Sequence, residues 1–156
     1  MITLHQGDLL DSGCQIIAHQ VNCQGVMGGG IAKTIRERWP EVFQGYTQFC
    51  QNGRGKLGEI LALPVIPEEG ALPIIVNMFG QDQYGRTRCY TDYAAFGECC
   101  VKLHEWIESD PSHKGLRVGM PFNIGCGLAG GDWDTVYSIL ESVFGDQEIE
   151  LELWKL

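Results

Sequence analysis

Residues 15–39 read QIIAHQVNCQGVMGGGIAKTIRERW. Gln15–Val21 is an apolar run broken by two polar residues and predicts a buried strand. Gly25–Gly30 holds four of its six positions as glycine. Ile31–Trp39 places Ile31, Ile35 and Trp39 at helical spacing. A strand that runs through consecutive glycines into a helix presents backbone N–H groups and a helix N-terminus at one point. That surface suits an anion.

The plan repeats later in the chain. Leu116–Met120 predicts a short strand, Asn123–Gly131 (NIGCGLAGG) a second glycine-rich loop, and Trp133–Phe144 a helix. Between these units, Pro40–Gln51 predicts a helix with proline at its first position. Glu59–Val65 and Ile74–Phe79 predict strands joined by a tight turn at Glu68-Glu69-Gly70-Ala71, too short for a helical crossover. Thr91 is the expected cap of a long amphipathic helix ending near Ser109. Met1–Gln6 alternates as an edge or half-buried strand, and Glu148–Leu153 alternates as a final strand. The order predicts an α/β chain: a three-layer α/β/α sandwich around a mixed central sheet, formed by residues 1–156 as a single domain. In such sheets ligands sit beyond the C-terminal ends of strands, where both glycine loops fall.

Composition narrows the classes. The 156 residues are 44% hydrophobic and 20% charged, as in a globular protein. The net charge of −9 leaves too little Lys and Arg for a broad nucleic-acid face. Neutral amides still allow an acidic chain to hold an anion. No apolar run reaches the ~20 residues of a membrane helix, and the N-terminus lacks the pattern of a signal peptide. A cytoplasmic chain without membrane contact is expected. The seven cysteines contain no CxxC pair, so no metal site is expected and the thiols read as reduced and buried. Neither loop has the GxxxxGK[ST] or GxGxxG spacing.

These residues resemble the macrodomain family over nearly the whole chain. Gly7-Asp8-Leu9-Leu10 is similar to its Gly-Asp-(Ile/Leu) motif, whose Asp takes the adenine amino group. His19–Asn22 with Gly28, Gly29, Gly30 and Ile31 resembles its first ligand loop, and Asn22 stands where the family's Asn meets the distal ribose. Asn123, Gly125, Cys126, Gly127, Leu128 and Ala129 resemble the loop that wraps the diphosphate. The resemblance points to the branch of terminal ADP-ribose protein glycohydrolase and ADP-ribose-1″-phosphate phosphatase. It implies a chain that takes ADP-ribose or an ADP-ribosylated molecule; a monomer without a cofactor is expected.

The chain departs from that branch where a catalytic Lys and Asp are found: the positions read Gln81 and Ala129. Neither supplies a nucleophile or base. Asn22 for ribose orientation, Arg86 for a leaving phosphate, and Asp132 for a carboxylate are the catalytic candidates. Each has a structural alternative: Asn22 as a turn residue, Arg86 in a solvated loop, Asp132 as a helix cap. Asp8 reads equally as an Asx-turn residue, and His19 either as a core histidine or as a group orienting Asn22. Phe122, Trp133 and Tyr84 are aromatic candidates for stacking or covering the ligand. Cys23 and Cys126 sit where backbone donors could lower a thiol pKa. Three functions stay open: a hydrolase acting on the 1″-phosphate or an acyl linkage of the terminal ribose, a reader that binds without turnover, and a module that captures a nucleotide signal other than ADP-ribose.

Overall fold

The computed structural model describes residues 1–65, 73–146 and 148–156. The strands are β1 (Ile2–Gln6), β2 (Ile16–Val21), β3 (Ile60–Pro64), β4 (Ile74–Phe79), β5 (Val118–Pro121) and β6 (Leu151–Lys155). The helices are α1 (Gly30–Arg38), α2 (Pro40–Gln51), α3 (Tyr93–Ser109) and α4 (Trp133–Phe144). One sheet runs in the order β1-β6-β5-β2-β4-β3. All its pairs are parallel except β3 with β4, which are antiparallel as their short connection requires. The expected turn at residues 68–71 lies outside the described residues. No described helix is long and apolar enough to cross a membrane.

The pleat sorts side chains between two helical layers. On β2, Ile16 and Ala18 join the core formed with Phe96, Leu103, Leu140 and Phe144 of α3 and α4. Ile17 faces the other way, toward Ile35 and Val42 of α1 and α2. Val21, further along that face, packs with Tyr46 and Phe79. Full burial of such side chains contributes about 1.5–3 kcal/mol each.

Two expectations change. Asp92, not Thr91, caps α3, accepting from Ala95 N at 3.0 Å. Thr91 is drawn elsewhere: its hydroxyl donates to Gly125 O at 2.5 Å. The last strand begins at Leu151 rather than Glu148, because pairing with β1 starts at Ile2↔Leu151. It lies inside the sheet, and its Glu152 is buried with Arg117 in a two-pronged ion pair at 2.8 Å.

One polar pair lies within the apolar layers. His19 Nε2 and Asn77 Oδ1, on neighbouring strands, are 2.8 Å apart. Asn77 Nδ2 donates to Leu61 O, so Oδ1 is its acceptor and His19 Nε2 carries the proton. Nδ1 is buried without a partner. Burial pushes the imidazole pKa down to about 4, against the raising effect of the Asn77 bond. Between about 6.5 and about 4, the unfolded chain binds a proton that the folded chain refuses. The contribution of neutral His19 to stability is therefore fully present above pH 6.5 and is lost as pH drops toward 4. The loss attributable to His19 is about 3 kcal/mol. Urea unfolding at pH 7.5 and 4.5 should show that loss in the parent chain and a smaller one in His19→Gln.

Candidate functional site

The C-terminal ends of β2, β4 and β5 open into one cleft with two halves. The first, about 370 Å³, is lined by Asn22, Val26, Gly28, Tyr84 and Arg86 among others. The second, about 270 Å³, is lined by Gly30, Ile31, Phe122, Asn123, Gly125 and Gly127 among others. Gln20, Gly29, Ala32, Gln81, Leu128 and Ala129 line both. Leu128 reaches across from the second loop: a Cβ on Gly29 would stand 2.5 Å from its Cδ1.

The backbone of the cleft is rich in unpaired donors. α1 begins at Gly29, which has no side chain to cap it. The amides of residues 28–31 and of residues 127–129 donate to no acceptor among the described residues. By contrast, Asp132 caps α4, taking both the N–H and the hydroxyl of Thr135 on one oxygen. Two loops with free amides thus face one space, which is the arrangement that holds an anion.

The first loop is shaped by Asn22. Its Oδ1 accepts from Gln24 N at 2.9 Å and Val26 N at 3.4 Å, and its Nδ2 donates to Val26 O at 2.7 Å. The Tyr46 hydroxyl lies 2.6 Å from Asn22 O and 2.8 Å from Oδ1. Asn22 lines the cleft while most of its hydrogen-bonding capacity holds the loop closed. The second loop turns at Asn123, whose φ of 70° is a left-handed conformation that asparagine tolerates better than most residues. At Gly130, φ is 72° and a Cβ would stand 2.7 Å from Arg88 O, so only glycine lets these backbones meet.

Arg86 is exposed at the cleft and forms no ion pair or hydrogen bond among the described residues. It and Tyr84, which is 54% exposed, are the ionisable side chains lining the first half. The remaining candidates lie outside the cleft lining. Asp132 is occupied as the α4 cap, and its Thr135 bonds hold its pKa below the usual carboxylate range. Asp8 forms the Asx-turn alternative, accepting from Leu10 N at 2.9 Å. Leu9 is buried in the core against Gly119. His19 is fully buried beneath the loop. Trp133 packs on Phe122, with ring centroids 4.7 Å apart.

Cys23 and Cys126 are not activated. Burial first, then Asp82 beside Cys23 and Asp132 beside Cys126, push each thiol up to about 11. All seven cysteines are free, and Cys89 is exposed, contrary to the expectation of uniformly buried thiols. Among the described residues, His104, Glu108 and Glu148 alone bring three metal-type donors within 4.8 Å. None of the three lines the cleft, and both glutamates face a separate cavity of about 610 Å³ at the opposite end of the sheet.

Sequence reasoning passed over Gln20, Thr91 and Tyr46. Gln20 was visible as a polar residue inside an apolar strand. Tyr46 had no such signal, because its packing against Phe79 and its bond to Asn22 depend on tertiary contact.

Comparison with known proteins gives concordant results. A family model described as Macro domain matches residues 18–140. The chain is 31% identical over 144 residues to a DNA ADP-ribosyl glycohydrolase of Mycobacterium tuberculosis, covering 92% of this chain and 39% of that protein. It thus spans about two fifths of the length of the mycobacterial relatives it matches. It is 30% identical to an ADP-ribose 1″-phosphate phosphatase of Scheffersomyces stipitis, covering 90% of this chain and 94% of the other. The solved macrodomain of Mycobacterium tuberculosis DarG superposes with a TM-score of 0.83 at 28% identity, over 99% of this chain and 97% of that one.

Asn22→Ala should lower the unfolding free energy by about 2 kcal/mol, since it removes the acceptor of the Gln24 and Val26 amides of the loop and a partner of the buried Tyr46 hydroxyl. Urea denaturation checks this. A loss within error of zero would mean that the loop keeps its shape without the side chain.

Proposed function

Since the chain belongs to the macrodomain family, we propose that its cleft binds ADP-ribose and that it hydrolyses a derivative at the terminal ribose, a 1″-phosphate or an acyl linkage. One observation supports this reading: residues 28–31 and 127–129, whose amides donate to no acceptor among the described residues, line one cleft across the ends of parallel strands. Fixed neutral donors suit a diphosphate, and they do so in a chain whose net charge of −9 would otherwise repel it. Gly28–Ile31 and Gly125–Leu128 hold the diphosphate in this reading. Asn22 and Arg86 fall in the half that takes the terminal ribose and its substituent. A free guanidinium there engages a phosphate by paired N–H bonds.

Hydrolysis rests on positioning. The ligand's own phosphate and a held water supply the proton transfers that no carboxylate in the first half supplies. Asp132 has no part in this scheme, because it is spent on α4. The chain works as a cytoplasmic monomer in the same proposal. Its charge opposes a substrate held through DNA.

A second reading is favoured by a specific observation. No carboxylate, thiol or imidazole lines either half of the cleft among the described residues. A site without a general base fits a reader that binds ADP-ribose and releases it unchanged.

Calorimetry with ADP-ribose and AMP, together with phosphorus NMR of ADP-ribose-1″-phosphate, separates the readings. ADP-ribose should bind at least about tenfold more tightly than AMP, which lacks the second phosphate and terminal ribose. Phosphate release marks a hydrolase, and binding without release of any ribose substituent marks a reader. Arg86→Ala should weaken the 1″-phosphate derivative about tenfold more than ADP-ribose itself. If ADP-ribose does not bind, the proposed function is wrong.

A further inference from the structure

The floor between the two halves of the cleft carries a hydrogen-bond network with a determined direction. Thr91 gives its one hydroxyl proton to Gly125 O. Its oxygen therefore only accepts from Gln20 Nε2, 3.0 Å away. The same nitrogen donates to Gln81 Oε1 at 2.9 Å. Both amide protons of Gln20 are spent, which fixes the orientation of its carboxamide. Turning it over would set an oxygen against the Thr91 lone pairs and against Gln81 Oε1.

Gln20 Oε1 is then left buried without a partner. It faces Gly80 and Gly125, where a Cβ would stand 2.3 and 3.2 Å from it. Buried acceptors are nearly always paired, so a bare one beneath a ligand cleft calls for a reason. Gln81 supplies the reason. Its Oε1 is taken by Gln20, and its Nε2 donates one proton to Gln83 O at 2.8 Å. The side chain is held at both ends, it lines both halves of the cleft, and one of its N–H groups has no acceptor among the described residues.

We propose that Gln81 donates this remaining N–H to a ligand oxygen where the two halves meet, and that Gln20 is the positioning residue that aims it. The proposal rests on the reading of the cleft as an ADP-ribose site. An amide donor stays neutral at every working pH, so it favours negative charge on the facing oxygen without titrating. Two amide protons of Gln20 are committed to this geometry, and the unpaired Oε1 is the consequence.

The experiment is ADP-ribose calorimetry on the full chain with Gln20→Met, Gln81→Met, the double variant and Gln20→Glu, each checked by thermal melting. Each methionine variant should weaken ADP-ribose about tenfold, and the double variant no more than either single one, because both act through one contact. Gln20→Glu should bind weakly at pH 8 and recover as pH falls through the titration of the new carboxyl. Once protonated, that carboxyl can again donate to Gln81 Oε1, whereas the parent chain shows no such recovery. Thermal melting at both pH values separates the two roles: the assignment requires the recovery in ADP-ribose affinity while the variant is folded at both, whereas a purely structural role recovers only in step with the melting temperature. The proposal is overturned if Gln20→Met binds within twofold of the parent, if the two losses add, or if Gln20→Glu shows no recovery. If the parent chain itself does not bind ADP-ribose, the proposed function falls and this assignment with it. Parent binding with unaffected variants overturns this assignment alone.

Discussion

The two glycine loops keep a fixed separation because the segment between β4 and α3 is bonded to both. On one side, Cys23 N donates to Asp82 O at 3.0 Å and Gln24 Nε2 reaches the Asp82 carboxylate at 3.0 Å. On the other, Tyr90 N and Thr91 N both donate to Ala129 O, and the Thr91 hydroxyl reaches Gly125 O. Gln20 ties the middle of this segment to the end of β2 through Gln81 and Thr91. Free amides are useful only where their loops cannot collapse and satisfy one another. The bridge prevents that collapse, so donors that would otherwise be a liability remain available to a ligand.

This arrangement explains the contrast between the two helices at the cleft. α4 is capped by Asp132, so its first-turn donors are partly satisfied within the chain. α1 starts at a glycine with no acidic residue in its first turn. A carboxylate there would answer the same amides that a diphosphate answers, and the two would compete. The sequence Gly28-Gly29-Gly30 therefore has two effects: it lets the second loop's Leu128 approach closely, and it leaves the helix terminus open.

Much of this was legible before the structure. Sequence pattern located the six strands and four α-helices found among the described residues, though not the short 3-10 turns at Leu9–Asp11 and Pro111–His113, and the short connection required the antiparallel β3–β4 pair. The strand–glycine–helix plan located both loops that line the cleft. What sequence could not resolve was competition between partners. Thr91 and Asp92 are both good caps, and the choice between them was made by a carbonyl of the second loop, distant in sequence. Leu9 follows a motif that reads as ligand-facing, yet its side chain fills the space above Gly119. The start of β6 depended on register with β1, at the other end of the chain.

Asn22 shows why residue type alone did not settle its role. An asparagine at the end of a buried strand offers both donor and acceptor, which suits ribose hydroxyls and loop amides equally. Here three loop contacts and the Tyr46 hydroxyl take most of that capacity. One Nδ2 proton has no acceptor among the described residues. Both polar side chains at the loop's two approaches, Asn22 and Gln81, are thus in the same condition: anchored within the chain, with a single N–H unpaired. Anchoring restricts rotamer freedom before the ligand arrives, so less ordering is lost on binding. On the proposed reading of a cleft with no general base among its described lining residues, such pre-set neutral donors are what discriminates one ligand oxygen from another.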